Sequence, residues 1–469
     1  MDLFLDANRG GLSEQLYQQI REGIACGRLK PGDQLPPSRH LARQLGVARH
    51  TVTTAYGRLG AEGFTCGRAG GGSFVASFPA VPDPWSRPPA AIMTARRFAG
   101  WERDSGLLAP PPAKFDLRAG MPDMRLFPAD AWRRRVNAAM RTTGPAATGD
   151  AAGEPACRRA IARWISRSRS VAADASTVIV TSGAQHAVDL VARVLLEPGD
   201  TVAAEDPGYL PIVWLLRSLG ARVVGVPVDD QGLIVSQLPA AARMVYLTPS
   251  HQYPLGVVMS MARRRELLAW AGRHGAALIE DDYDSEYRYV DRPLEPIQRL
   301  DDTGRVIYIG SFSKTLSPAL RLGFAVVPPP LAEPIAALRQ LIDWHPPTAA
   351  QFALAALLDD GTFDRHVRRT GRVYSQRHQI LRAALAGPLS PWLTAVLSHA
   401  GLHITALLGA DRDEDQVRAA AAARGIATTG LRQYFHGSPG MPGVVIGFGA
   451  IDTSELPAAL TALCGALAG

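Results

Sequence analysis

Cysteine is scarce in this chain, and long uncharged apolar runs are absent from it. Cys26, Cys66, Cys157 and Cys464 lie far apart and form no CxxC pair, which argues against a zinc site and against a disulfide framework. No run of about 18 apolar residues occurs, and the N-terminal segment MDLFLDANRGG has no basic region followed by an apolar stretch. We therefore expect a soluble cytoplasmic protein with no membrane span and no metal site.

Lysine is equally scarce, since only three of the 50 basic residues are lysines: Lys30, Lys114 and Lys314. An arginine stays charged at neutral pH, whereas a lysine can lose its proton and act as a nucleophilic amine. These three positions are therefore candidates for covalent chemistry. The net charge of +7 permits a polyanionic partner but does not require one.

The chain is long enough, at 469 residues with 47% apolar content, for two or three domains. Eight prolines between Pro79 and Pro112 mark a boundary. This composition predicts a compact basic module over residues 1–78 and an extended, semi-rigid linker over residues 79–113. A large domain is predicted over residues 114–469, in which residues 361–469 form a smaller α+β subdomain.

Short apolar runs alternate with helical patterns in the large domain. Because these runs are continuous, they predict strands buried on both faces of a mostly parallel α/β sheet of roughly seven strands. The predicted strands begin at Val178, Thr201, Arg222, Met244, Ala277, Val306 and Gly323.

The basic module has the helical spacing and the turns of a helix-turn-helix. Apolar residues from Leu12 to Ile24 predict a first helix that ends at Gly27. Ser38 is expected to cap a second helix over residues 39–45, and Gly46 turns the chain into a third helix. The alternative to a helix-turn-helix is a small helical cap whose arginine and threonine side chains are merely solvated. The outward side chains of the third helix are Arg49, His50, Thr51 and Thr53.

The run LYQQIREGIACGRLKPGDQLPPSRHLARQLGVARHTVTTAYGRLGAEGF, with the following GGGSFVA, resembles the winged helix-turn-helix of GntR-type regulators. The resemblance covers nearly all of residues 12–76. It implies a recognition helix in the major groove of DNA and a wing tip at residues 70–73. Arginine can hydrogen-bond the guanine edge, whereas threonine mostly positions phosphates. The residues implied at the DNA are Arg39, Arg49, His50, Thr51, Thr53 and Gly71.

A strand followed by a Ser/Ser/Lys loop predicts a second site, in the large domain. Lys314 can form an imine, and the nearby hydroxyls and guanidinium of Ser311, Ser313 and Arg321 suit a phosphate dianion. The turn of residues 182–185, where a helix is expected to start, offers backbone N–H groups to the same phosphate.

An acidic segment follows another strand of the predicted sheet. Asp281 would lie at the C-terminal edge of the sheet, where a carboxylate can keep a pyridinium nitrogen protonated. Tyr283, two residues on, could hydrogen-bond a phenolic oxygen of the same ring. A solvated acidic turn or a metal site made of Asp281, Asp282 and Asp284 is the alternative.

Seven runs make residues 115–469 resemble fold-type I aminotransferases that use pyridoxal 5′-phosphate (PLP), and most closely the MocR subfamily of GntR regulators. The runs are MPDMRLFPADAW, TSGAQHAVDL, EDPGY, TPSHQYPLG, IEDDYDSEYRY, SFSKTLSPALRLGF and AGLH. The resemblance implies a Schiff base between PLP and Lys314. Tyr209 would stack on the ring, a core aromatic residue being the alternative. The implied cofactor-binding residues are Ala184, Gln185, Tyr209, Asp281, Tyr283, Ser311, Ser313 and Arg321.

Three positions depart from the MocR pattern. Thr148 stands where a tyrosine that contacts the partner subunit's phosphate is usual, and His186 replaces a common glutamine. Arg432 lies one residue early for an arginine that would hold the carboxylate of an effector, and a surface arginine is the alternative there. Conversely, Tyr253 replaces the asparagine of the aminotransferase Asn-Pro-x-Gly run, which favours a regulator over an enzyme.

The resemblance therefore implies a homodimeric, DNA-binding transcriptional regulator. Its PLP domain would sense an amine, an amino acid or PLP itself by imine exchange at Lys314. A working aminotransferase that carries a DNA-binding domain shares every cofactor residue and is the alternative. A constitutive DNA-binding dimer with structural PLP is a third possibility.

Overall fold

The computed structural model describes residues 3–6, 11–68, 72–77, 113–143, 149–289, 295–409 and 411–468. The chain divides into two compact units, Met1–Ala95 and Arg96–Gly469. The linker predicted over residues 79–113 lies almost entirely outside the described residues. Within the described ranges, no helix has the length and apolar character needed to span a membrane.

The N-terminal unit is a winged helix-turn-helix. Leu16, Ile20, Val52 and Leu59 are fully buried and form its core, as their helical spacing predicts. Gly46 joins the second and third helices with a φ of 65°, a left-handed conformation that glycine adopts without strain. The elements are α1 (Leu12–Ala25), α2 (Ser38–Leu45), α3 (Arg49–Ala61) and the antiparallel strands β1 (Thr65–Arg68) and β2 (Gly72–Val75).

The prediction that Ser38 caps the second helix is wrong. Ser38 is already the first residue of α2, and the N-cap residue is Pro37, which makes no side-chain cap hydrogen bond. Pro37 has an extended ψ of 137°, so the helical conformation begins at Ser38.

An eight-stranded sheet forms the centre of the large unit, in the order β4-β11-β10-β9-β8-β5-β6-β7. Strands β10, β9, β8, β5 and β6 run parallel, whereas β11 is antiparallel to both of its neighbours. The two-residue β7 is the strand that the sequence did not predict. The strands are β4 (Val178–Thr181), β5 (Thr201–Asp206), β6 (Arg222–Asp229), β7 (Gly232–Leu233), β8 (Ala242–Leu247), β9 (Ala277–Asp282), β10 (Val306–Ser311) and β11 (Gly323–Val326).

Helices cover both faces of this sheet, which explains the continuous apolar runs. Val178 and Val180 pack in one hydrophobic cluster, whereas Ile179 between them packs in another. The flanking helices are α4 (Ala129–Thr143), α5 (Pro155–Arg169), α6 (Ala184–Leu195), α7 (Leu210–Ser218), α8 (Met261–His274), α9 (Ile297–Leu300), α10 (Pro329–Asp343) and α11 (Thr348–Asp359).

The C-terminal region builds a smaller antiparallel sheet, in the order β12-β13-β16-β15. The short strand β3 (Phe115–Asp116), far away in sequence, pairs with β14 and adds Phe115 and Leu117 to the C-terminal core. The other elements are α12 (Thr362–Ala386), β12 (Leu393–Ala395), β13 (His403–Leu408), α13 (Glu414–Ala423), β14 (Ile426–Ala427), β15 (Thr429–Gly430), β16 (Gly443–Gly447) and α14 (Leu456–Ala468).

Candidate functional site

Polar side chains converge where the strands of the large sheet end. Parallel strands present their carboxyl ends at one edge of a sheet, which is where α/β proteins bind ligands. Strand register places Asp281 of β9 opposite Ile309 of β10, two residues before Ser311. Strand β10 then leads directly into the loop that carries Lys314.

Lys314 has the surroundings of a nucleophilic amine. Burial lowers the pKa of its ammonium group, while the negative charges of Asp284 and Asp281 oppose that shift. The ammonium donates a hydrogen bond to the carbonyl oxygen of Gly120. A depressed pKa increases the fraction of free amine, which is the form that attacks a carbonyl carbon.

Asp281 is buried and keeps one oxygen unpartnered. The Tyr246 hydroxyl donates to Oδ2 of Asp281 at 2.7 Å, whereas Oδ1 is buried with no hydrogen-bond partner in the described structure. Burial raises the pKa of Asp281 to about 7. Because a buried polar atom without a partner is costly, this oxygen indicates a missing hydrogen-bond donor such as a protonated ring nitrogen.

The turn before helix α6 forms a concave anion cradle together with Arg321. Gly183 has a φ of 90°, and a Cβ there would lie 2.9 Å from the Arg321 guanidinium. That guanidinium donates to the Ser182 carbonyl oxygen at 2.6 Å. The first N–H groups of a helix have no partner within the helix, so those of Ala184 and Gln185 can receive an anion.

Ser311 ends strand β10 beside this cradle, and Ser313 lies on the loop that follows. The Ser313 backbone N–H donates to Ser311 Oγ at 3.2 Å, which fixes the start of the Lys314 loop. Gly323 allows strand β11 to lie close to the turn before α6, because a Cβ on Gly323 would lie 2.8 Å from Gly183 Cα.

His186 has a defined contact that the sequence did not reveal. The Ser182 backbone N–H donates to its Nδ1 at 3.1 Å, so the ring closes the turn that leads into α6. Burial lowers the pKa of His186 and favours the neutral ring that can accept this bond. Thr148, the other departure in the cofactor region, lies outside the described residues.

Four tyrosines line the space beside these groups. Tyr253 packs edge-to-face against Tyr209, Tyr283 and Tyr434, with ring centroids 5.2 to 5.8 Å apart. The hydroxyls of Tyr253 and Tyr434 lie 2.9 Å apart and form a hydrogen bond. Burial raises the pKa of Tyr209 to about 12, so its hydroxyl stays protonated. The Tyr283 hydroxyl lies 2.9 Å from Nδ1 of His251.

The three acidic residues of the Asp-Asp-Tyr-Asp run have separate partners and do not share a site in the described structure. Asp282 forms a buried ion pair with Arg169 at 2.9 Å and accepts a hydrogen bond from Tyr308. Oδ1 of Asp284 lies 3.0 Å from Nδ1 of His251. Among the described residues, one group has the spacing of a cation site, namely His251, Asp284 and His403, whose donor atoms lie within 4.8 Å of one another.

Two arginines, Arg118 and the candidate effector residue Arg432, differ in their surroundings. Arg118 forms a two-point contact with the carboxylate of Asp116, at 2.8 and 2.6 Å. The side chain of Arg432 is 49% exposed, and its Nη1 lies 4.0 Å from Oδ1 of Asp413.

The DNA-facing residues implied by the sequence lie on α2 and α3. Arg39, Arg49, His50 and Thr53 are exposed, and Thr51 is half-buried. In the described part of the chain, the side chains of Arg39, Arg49 and His50 make no hydrogen bond or ion pair, which leaves them available to a nucleic acid. Arg58, in contrast, is held by Glu14 and Glu62. Gly71 of the wing lies outside the described residues.

Comparison with known protein families matches both units. The family of bacterial regulatory proteins named gntR matches residues 12–75, and the aminotransferase class I and II family matches residues 113–436. The second match agrees with the Lys314 amine, the unpartnered Asp281 oxygen and the anion cradle, which together fit PLP.

Two regulators match nearly the whole chain, and a solved aminotransferase structure matches most of it. The probable rhizopine catabolism regulatory protein MocR of Rhizobium meliloti is 36% identical, over 96% of this chain and 93% of its own. The pyridoxine biosynthesis transcriptional regulator PdxR of Corynebacterium glutamicum is 34% identical, over 94% of this chain and 93% of its own. Among solved structures, the alpha-aminoadipate aminotransferase LysN of Thermus thermophilus, complexed with N-(5′-phosphopyridoxyl)-L-leucine, is 26% identical with a TM-score of 0.69, over 76% of this chain and 92% of its own.

Proposed function

The chain belongs to the MocR subfamily of GntR-type transcriptional regulators, with a PLP-binding domain of aminotransferase fold, and we propose that this domain senses a small amine through Lys314. The observation that carries the proposal is the half-buried Lys314 amine beside the unpartnered Oδ1 of Asp281. An effector with a primary amine would take the place of Lys314 on the cofactor. The released lysine would then be free to make new contacts.

Each cofactor-binding residue has a distinct task in this proposal. PLP, when bound, supplies an electrophilic carbon and an electron-withdrawing ring. Lys314 would hold the cofactor covalently, and Asp281 would pair with the ring nitrogen. Tyr283 would contact the phenolic oxygen, and Tyr209 would cover the ring. The phosphate would be held by the N-terminus of α6 at Ala184 and Gln185, by Ser311 and Ser313, and by Arg321.

We expect Asp281→Asn to weaken PLP retention and to blunt the response to amines. An amide cannot offset the charge of a protonated ring nitrogen, and losing a hydrogen bond to a charged group costs about 1.5–3 kcal/mol. The measurement is the PLP dissociation constant by absorbance titration, with Asp302→Asn as the control. Asp302 is exposed in the turn before the amino end of β10, at the opposite edge of the sheet. Equal PLP affinity in both variants would exclude the pairing of Asp281 with the ring.

The effector class remains to be identified by a screen of amines, amino acids and PLP itself. We propose that Arg432 binds the carboxylate of an amino-acid effector, which its half-exposed side chain and weak pairing to Asp413 would allow. The screen follows the absorbance of the bound cofactor in the full-length protein. A shift without release of a keto product supports a sensor, whereas repeated turnover supports a working aminotransferase. If no amine or amino acid shifts the absorbance, the sensing proposal fails.

We also propose that the protein acts in the cytoplasm as a homodimer on an operator with two repeats. Fold-type I sites usually form between two subunits, and the exposed apolar side chains of Leu341 and Trp344 offer a surface that a second copy could cover. A two-fold dimer carries two winged helices, and the proline-rich composition of residues 79–113 predicts an extended linker to each of them.

We therefore expect two protected half-sites, arranged as repeats and separated by more than one helical turn of DNA. Footprinting on operators of varied spacing, combined with sedimentation analysis, measures both properties. A monomer in solution, or full affinity for one isolated half-site, would contradict the dimer proposal.

A further inference from the structure

Residues from three separate sequence runs meet at one buried histidine. His251 comes from TPSHQYPLG, Asp284 from IEDDYDSEYRY, and Gly401 from AGLH. His251 and Asp284 are 1% and 2% exposed. Nδ1 of His251 lies 3.0 and 3.1 Å from the two carboxylate oxygens of Asp284 and 2.9 Å from the Tyr283 hydroxyl. Its Nε2 lies 3.0 Å from Ser398 Oγ.

Packing fixes the position of this ring. A Cβ on Gly401, where φ is +76°, would lie 2.1 Å from Cε1 of His251. A Cβ on Gly256 would lie 3.1 Å from Nε2. The two glycines therefore allow the backbone to close against the ring, which explains why AGLH carries a glycine at this point.

The hydrogen-bond partners determine which ring nitrogen carries the hydrogen. An ionised carboxylate can only accept hydrogen bonds, so Asp284 requires a hydrogen on Nδ1 of His251. A nitrogen that carries a hydrogen cannot accept one from Tyr283. The single Nδ1–H is therefore shared between the Asp284 carboxylate and the Tyr283 oxygen, so Tyr283 accepts at this contact and its own hydrogen points elsewhere. Burial raises the pKa of Tyr283 well above its usual value, so that hydrogen is retained.

The other ring nitrogen is consistent with this assignment. The Ser398 hydroxyl has one hydrogen, and Nε2 of His251 at 3.0 Å is a nearer acceptor for it than the Ala400 carbonyl oxygen at 3.2 Å. His403 donates to the Pro254 carbonyl oxygen at 2.9 Å and does not compete for His251. The titratable groups that surround Tyr283 are Glu205, His251, Tyr253, Asp281 and Asp284.

We propose that Asp284 and His251 act as positioning residues that direct the Tyr283 hydrogen toward the phenolic oxygen of PLP. This inference rests on the proposed cofactor site and concerns residues to which that proposal assigns no role. By holding a hydrogen on Nδ1, the pair prevents the ring from becoming the acceptor for Tyr283. The Tyr283 hydroxyl is thereby left as a donor to the cofactor. Such tautomer control by a buried carboxylate is a general device for orienting histidine.

The pH at which half of the Lys314 Schiff base is protonated, its pH midpoint, distinguishes this positioning role from a simple charge effect. The phenolic oxygen of PLP can accept a hydrogen bond from the protonated imine or from the Tyr283 hydroxyl. If Tyr283 no longer donates, the protonated imine is stabilised, and the pH midpoint rises. Losing the negative charge of Asp284 alone would lower it, because that charge favours the protonated nitrogen. We expect Asp284→Leu to raise the midpoint by about one pH unit, the scale of one hydrogen bond to a charged group.

A double-variant cycle tests whether the effect passes through Tyr283. In the Tyr283→Phe background, Asp284→Leu should no longer raise the midpoint, since no hydroxyl remains to be redirected. Asp302→Leu is the control for an exposed aspartate. A lower midpoint in Asp284→Leu, or the same rise with and without Tyr283, would overturn the proposal.

A measurement on the unmodified protein covers the case in which a variant does not fold. In the spectrum of protein labelled with ¹⁵N-histidine, the His251 signal, assigned through His251→Gln, should show a hydrogen on Nδ1. An Nδ1 without hydrogen would overturn the proposal whether or not PLP is bound. If Nδ1 carries the hydrogen but Lys314 forms no Schiff base, the proposed cofactor function fails and the ring orientation stands.

Discussion

The Schiff-base absorbance of the protein should vanish completely in Lys314→Ala and in Lys314→Arg. Alanine has no amine, and the arginine guanidinium does not deprotonate at neutral pH. Because the chain has only three lysines, the controls are Lys30→Arg and Lys114→Arg, which should keep the absorbance in full.

The scarcity of lysine allows a sharper version of this experiment. In the double variant Lys30→Arg/Lys114→Arg, Lys314 is the only lysine left in the chain. Borohydride reduction should then attach one pyridoxyl group, at Lys314, as read by peptide mass spectrometry. A covalent cofactor that survives in both Lys314 variants would show that another group carries it.

DNA affinity should fall by about 5- to 150-fold in Arg49→Ala if Arg49 contacts a base edge, equivalent to roughly 1–3 kcal/mol. Arg49 is exposed at the start of α3 and has no partner within the described unit, so its loss leaves the fold of the winged helix intact. The measurement is a binding isotherm on the operator and on a scrambled duplex at several salt concentrations.

The pattern of loss separates base contact from phosphate contact. A base contact lowers operator affinity more than scrambled-duplex affinity, whereas a phosphate contact lowers both equally and reduces the salt slope. Arg217→Ala, an exposed arginine of α7 in the other unit, controls for the change in net charge. Normal binding by Arg49→Ala at every salt concentration would exclude both roles.

The sheet could be predicted from the sequence because its signals are local. Each of the seven apolar runs became a strand, and the loop with Lys314 follows β10 as expected. The direction of β11 could not be predicted, since a continuous apolar run looks the same in a parallel and in an antiparallel strand. The pairing of Phe115 with Ile426 was also missed, because two-residue strands carry no periodic pattern.

The places of single residues in the fold were predictable, whereas their contacts were not. Lys314 and Asp281 could be selected by residue type and by their place after a strand. The contact of His186 with the Ser182 N–H depends on one helical turn, and the meeting of His251 with Ser398 depends on the close approach of residues 147 positions apart. The signal present in the sequence was the histidine within TPSHQYPLG, which spacing alone could not connect to Asp284.

We propose that an amine acting at Lys314 changes how the protein binds DNA. The most direct measurement is a footprint of PLP-loaded protein on the DNA upstream of its own gene, with and without the amine that shifts its absorbance. We predict that this amine changes the affinity or the protected pattern for the unmodified protein and not for Lys314→Ala. An amine that displaces Lys314 in the absorbance spectrum while the footprint stays identical would contradict the account.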